Sequence, residues 1–82
     1  MTRIAKLYEQ MLRNKRGKFA DLQKLLLAHG FKLNRVRGSH EVYVRDDVPE
    51  HITIQPNGKE AMDYQIREFL RIVKQYRISL DD

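Results

Sequence analysis

Apolar residues recur along this chain with two different periods, and the change of period divides it. Ile4, Leu7, Tyr8, Met11 and Leu12 fall at i, i+3, i+4, i+7 and i+8. That spacing places side chains on one face of a helix, and it predicts an amphipathic helix over residues 3–14. The polar, basic run Asn14-Lys15-Arg16-Gly17-Lys18 interrupts the stripe. Phe19, Leu22, Leu25 and Leu26 resume it, and Gly30 stands where a helix-ending glycine belongs, so a second helix is predicted over residues 18–29.

The period then becomes two. Phe31 and Leu33 alternate with Lys32 and Asn34, predicting a strand over residues 31–37. Gly38-Ser39 is a tight turn. Val42 and Val44 alternate with Glu41, Tyr43 and Arg45, predicting a second strand over residues 40–45. Strict alternation puts His40 on the side of Val42 and Val44, the expected core side. It turns Tyr43 away from the core with Glu41 and Arg45. Asp46-Asp47-Val48-Pro49-Glu50 reads as a loop, and Ile52 and Ile54 mark a third strand over residues 51–55 that Pro56-Asn57-Gly58 stops. Ile66, Phe69, Leu70 and Val73 return to helical spacing, predicting a last helix over residues 63–76.

The predicted order is α-α-β-β-β-α. Strands joined by short turns pair antiparallel, and the apolar helix stripes supply the cover that one face of such a sheet requires. The fold class is therefore α+β: a two-layer sandwich of a three-stranded antiparallel sheet packed by helices. Without the first helix the order is that of double-stranded-RNA-binding domains, although topology alone assigns no function. A chain of 82 residues holds one domain, residues 1–82, with residues 1–16 as an additional N-terminal helix.

Composition narrows the function. With no cysteine, neither a disulfide framework nor a thiolate zinc site is available, which fits a reducing cytosol and a cytoplasmic protein. The N-terminal stretch lacks the apolar run of a signal peptide or a membrane span. The net charge of +5 is unevenly placed: residues 1–45 hold 11 basic and 3 acidic side chains, and residues 46–82 hold 5 basic and 8 acidic ones. A basic half suits a polyanionic partner, because each phosphate contact releases counterions. No two histidines lie three or four apart on a helix, so no metal site is expected, nor any cofactor. His29 reads as a cation or cap at a helix C-terminus, and His51 as a solvent-facing strand residue.

The stretch from Phe19 to Leu80 carries a more specific signal. Gly30-Phe31 is followed by Arg35-Val36-Arg37-Gly38-Ser39-His40, then by Val42-Tyr43-Val44 and Ile52-Thr53-Ile54. Gly58-Lys59 and Tyr64-Gln65-Ile66-Arg67 come after these. In this order and spacing the run resembles the HicA toxins of bacterial toxin–antitoxin pairs, over a core of residues 18–80. The resemblance implies a fold like that of double-stranded-RNA-binding domains, an mRNA interferase activity, and silencing by a HicB-like antitoxin protein. It assigns the catalytic role to His40. The sequence departs from many relatives at Glu41, where they carry a second histidine or an aromatic residue. It departs again at Gln55-Pro56-Asn57-Gly58, where they carry a Pro-x-His segment.

The chemistry is compatible. RNA carries its own nucleophile, the 2′-hydroxyl, so cleavage without a metal needs a proton carrier and positive charge at the phosphate. A histidine suits the first task, and arginine or lysine the second. Arg35, Arg37 and Arg45 lie close to His40 in sequence, and Lys59 precedes the last helix. Each is a candidate phosphate contact. Tyr43 is a candidate to stack on a base or an ordinary strand residue, and Ser39 either orients the imidazole or makes the turn. His40 is either catalytic or a satisfied, partly buried histidine. A non-catalytic RNA-binding module is the alternative function, and a toxin remnant that only occupies its partner is a third.

Overall fold

A computed structural model describes residues 2–80. Helix α1 spans Arg3–Asn14 and α2 spans Phe19–Ala28; strands β1 (Lys32–Arg37), β2 (His40–Arg45) and β3 (Val48–Ile54) follow. Two short strands, β4 (Pro56–Asn57) and β5 (Glu60–Ala61), precede helix α3 (Asp63–Gln75). The order α-α-β-β-β-α and the α+β sandwich stand as the periodicity predicts, with the β4–β5 hairpin added. No described helix is long and apolar enough to cross a membrane.

Local signals explain the helix ends. The Thr2 hydroxyl accepts from the Ala5 amide at 3.1 Å and caps α1, and Lys15 closes it in the left-handed conformation. Gly30, at φ +84°, turns the chain out of α2 so that the Phe31 amide reaches back to the Leu26 carbonyl at 3.0 Å. Gly17 lets α1 lie close, since a Cβ there would meet the Met11 methyl at 2.8 Å.

The sheet order is β1-β2-β3, antiparallel throughout. Its helix side holds the core, where Tyr43, Ile52 and Ile54 meet Leu22, Leu25 and Leu26 of α2 and Ile66, Phe69 and Val73 of α3. Met11 is the buried residue of α1, with Ile4, Leu7 and Tyr8 packed against the cluster; Leu12, at the margin of the stripe, is exposed. Arg71 of α3 pairs with Glu50 of β3 at 2.6 Å, and the Tyr76 hydroxyl donates to Glu50 at 2.7 Å.

Three expectations change. The loop expected at 46–50 is a two-residue turn, Asp46-Asp47, because β3 starts at Val48 and runs through Pro49. Proline is accepted there because β3 is an edge strand that needs no N–H at that position. Pro56-Asn57-Gly58 belongs to the β4–β5 hairpin, whose Gly58 sits at φ +65°. That hairpin is stitched to the α1–α2 connection: the Phe19 amide donates to the Lys59 carbonyl at 3.0 Å, and the Ala61 amide to the Gly17 carbonyl at 2.9 Å. Third, Tyr43 faces the core and His40 does not.

Candidate functional site

Cross-strand pairs point to the same face of an antiparallel sheet, so the register assigns the faces. Tyr43 pairs with Leu33 and Ile52, and Glu41 with Val36 and Ile54. These are helix-side residues. Arg37 pairs with His40, Arg35 with Val42, Lys32 with Val44, and Val42 with Thr53. This second set occupies the opposite face, outside the core cluster that the described helices pack, with Val42 nearly covered by its neighbours there. His40 is exposed there, as are Lys32, Arg35, Arg37, His51 and Thr53. The expected core side of His40 is thus the open side.

A bulge arranges the arginines. The β1–β2 register shifts by one residue between Leu33 and Arg35, leaving Asn34 without a partner. In strict alternation Arg35 and Arg37 would follow Leu33 onto the helix side. The bulge re-aims both to the face of His40 and restores Val36 to the other. Lys32, Arg35, Arg37 and His40 therefore share one face, and none of its strand residues is a carboxylate. Neither Arg35 nor Arg37 is ion-paired among the described residues.

Gly38-Ser39 makes the hairpin that brings Arg37 opposite His40. Gly38 takes φ +59° while Ser39 stays at negative φ, the pattern of a type II′ turn with glycine first. Ser39 is exposed within the turn.

Two expected site residues lie elsewhere. Tyr43 is 3% exposed and belongs to the core cluster, so its ring is not open to a base. Its hydroxyl donates to Glu41 at 2.8 Å, and burial, then that hydrogen bond, pushes the phenol up to about 12. Arg45 sits five positions from His40, roughly 16 Å along the strand. It points to the helix side, where it donates to the His29 carbonyl at the end of α2 and to Asp47 at 2.7 Å. Arg45 is a helix-capping residue, and the proposed cluster of three arginines contains two. Lys59 is exposed in the β4–β5 turn, next to the N-terminus of α2.

Glu41 does not enter the site either. Its carboxylate accepts from Gln23 of α2 at 2.9 Å and from Tyr43, on the helix side. Its charge is used inside the sandwich, away from the neighbouring imidazole. Lys32 was not expected in the site; its place beside Val44 follows only from the register.

This face, with its Gly-Ser-His turn, lies in the segment that known families match. Residues 19–75, well over half of the chain, match the HicA toxins of bacterial toxin–antitoxin systems. The chain belongs to the HicA family. No curated protein and no solved structure matches it at a significant level. As a HicA protein it is the toxin component of a toxin–antitoxin system, and α1 lies outside the matched region.

Proposed function

We propose that this HicA protein is a metal-independent endoribonuclease that cuts mRNA at the open face of its sheet. The carrying observation is the exposed His40 paired with Arg37 across the hairpin, with Arg35 and Lys32 on the same face. In this reading the 2′-hydroxyl of RNA attacks the adjacent phosphorus, and the bond to the 5′-oxygen breaks. The products are a 2′,3′-cyclic phosphate and a 5′-hydroxyl end. His40 takes the proton from the nucleophile or supplies one to the leaving oxygen, with water at the other position. Arg35, Arg37 and Lys32 hold the phosphate and neutralise the charge that builds on it.

The test is incubation of single-stranded RNA in EDTA. Shortened RNA with cyclic phosphate ends supports the reading, and an RNA fully 2′-O-methylated should stay intact because its nucleophile is blocked. Cleavage of the methylated strand would reject the mechanism.

A separate acidic antitoxin of the HicB kind is the proposed partner. It covers the face of His40 and contacts Arg37 or Lys59, so that inhibition is steric. A footprint that leaves His40 open while cleavage stops would defeat this account. One observation favours the alternative, a non-catalytic RNA-binding module: Glu41, the adjacent carboxylate, is committed to Gln23 and Tyr43 and cannot orient the imidazole. In that case RNA is bound in EDTA and recovered at full length.

A further inference from the structure

We propose that the groove at the first turn of α3 is a second RNA contact, in which an unpaired base stacks on Tyr64. The proposal rests on the reading of the chain as an RNA-binding protein and adds a subsite to it.

Tyr64 is 58% exposed, the most open of the large apolar side chains described. An exposed ring ordinarily turns freely. This one is tethered at its far end, where its hydroxyl accepts from Gln65 Nε2 at 3.2 Å. Gln65 is itself only 5% exposed, and its Oε1 accepts from the Gln55 amide at 2.9 Å. A buried amide thus holds the phenol by its edge while the face stays in solvent. Its conformational freedom is reduced before any ligand arrives, which lowers the entropic cost of stacking.

The tether also places Tyr64 relative to His40. Gln55 directly follows Ile54, and Ile54 pairs with Glu41, the neighbour of His40. Tyr64 is therefore anchored at the end of the sheet where His40 stands. The groove and His40 thus share one end of the sheet, the groove on its helix side and His40 on its open face.

The groove has an open volume of about 670 Å³ and is lined beside Tyr64 by Arg16, Asn57 and Arg67, with Glu60 and Asp63. That size lies within the range of small-ligand clefts. Neither arginine is ion-paired among the described residues. Arg67 stands one turn along the helix from Tyr64, and Arg16 comes from the connection between α1 and α2. The two arginines are balanced by the two carboxylates, so the groove is no generic polyanion patch. Affinity here comes from stacking, with a guanidinium available to the phosphate on either side. The open face near His40 is the reverse case, rich in cations and free of strand carboxylates. The two surfaces therefore differ in how binding responds to salt.

That difference supplies the test. The probe is a single-stranded, fully 2′-O-methylated RNA, titrated by fluorescence anisotropy at several salt concentrations against the whole chain. Tyr64→Ala and Tyr64→Leu should each weaken binding by about tenfold, because the base loses the ring on which it stacks. The slope of log K against log salt should not change, since no phosphate contact is lost. Tyr64→Phe keeps the π face but loses the hydroxyl that Gln65 holds, so it should weaken binding by less than either of these variants. Leucine keeps the apolar bulk and removes the π face, and thermal melts verify that the variants fold. Wild-type affinity in both the alanine and leucine variants overturns the groove, and so does a weakened affinity with a reduced salt slope. If wild-type protein binds and Arg35→Ala and Arg37→Ala weaken binding while the Tyr64 variants do not, the groove alone fails. If the wild-type chain does not bind the RNA at all, the underlying reading fails with it.

Discussion

The imidazole of His29 lies 4.9 Å from the phenol ring of Tyr8, centroid to centroid, and this contact joins α1 to the C-terminal end of α2. Phe69 of α3 closes the site edge-on at 5.3 Å, and His29 Nδ1 lies 2.7 Å from the Leu25 carbonyl. His29 is the C-cap of α2, as its position next to Gly30 suggests, but at 1% exposure it is a core residue and not a cation. Burial lowers its pKa below the ordinary value of 6.5, the nearby charge of Arg45 adds to this, and the bond to Leu25 opposes it.

A pH dependence of stability follows. The folded state holds His29 neutral, so its contribution is complete above pH 6.5, the unfolded value. Below that, the unfolded chain takes up a proton that the folded chain refuses, and stability falls until pH reaches the lowered folded pKa. The slope cannot exceed about 1.4 kcal/mol per pH unit, the value for one whole proton. Urea unfolding from about pH 8 down to about pH 5 should show this decline in wild type and lose it in His29→Gln. An equal decline in both proteins would assign the effect to other groups.

The arginines should separate by phenotype. Arg45 holds the last carbonyl of α2 and pairs with Asp47. Arg45→Ala should lower stability by about 1–2 kcal/mol, at the modest end for a charged hydrogen bond because the side chain is partly solvated. Its RNA affinity should remain near wild type. Arg35→Ala and Arg37→Ala should do the reverse, leaving the melting temperature nearly unchanged and weakening RNA binding. Loss of RNA affinity in Arg45→Ala equal to that in Arg37→Ala would contradict the assignment of faces.

What the sequence carried, and what it hid, depends on parity. The helical stripes were long enough to place α1, α2 and α3 within a residue of their bounds. The face of β2 is not readable from β2 alone, because His40-Val42-Val44 is the more apolar set and Tyr43 shares its alternate positions with the charged Glu41 and Arg45. Recognition of Asp46-Asp47 as a two-residue turn would have decided it. Such a turn pairs odd residues of β2 with even residues of β3, and Ile52 and Ile54 then carry Tyr43 inward. Pro49 concealed that turn by imitating a loop. The bulge at Asn34 has no comparable sequence mark, so the side taken by Arg35 and Arg37 emerges only from the register. The Gly-Ser-His turn was legible because its spacing from Gly30-Phe31 is distinctive, whereas the fate of Glu41 required the position of Gln23.

Salt dependence measures how many phosphates the open face holds. With Arg45 removed from the set, Arg35 and Arg37 remain, joined by Lys32 and, near α2, by Lys59. Two to four contacts give a slope of log K against log salt of about −1.4 to −2.8 for a single strand. Each of Arg35→Ala and Arg37→Ala should make the slope shallower by about 0.7. A slope near zero in the wild-type chain would leave these cations without a role in binding.

His40 offers the most decisive substitution. It is exposed at the start of β2 and has no side-chain hydrogen bond among the described residues, so the fold does not rest on it. His40→Ala should therefore melt close to wild type, because a surface change away from caps and buried networks stays within about 0.5 kcal/mol. If the imidazole moves a proton in the cleavage step, the same variant should lose about 10²–10⁴-fold in rate. RNA affinity should change little, since the phosphate contacts belong to Arg35 and Arg37. Gly38→Ala is the companion experiment. A Cβ there meets nothing within 4 Å, so any defect arises from the backbone at φ +59° and not from a clash. A type II′ turn with alanine in first place is strained by about 1–2 kcal/mol, which loosens the pairing of Arg37 with His40. Cleavage should fall in Gly38→Ala, and by less than in His40→Ala, because the imidazole is displaced and not removed. A His40→Ala protein that folds, binds RNA and still cuts it at the wild-type rate would remove His40 from the mechanism.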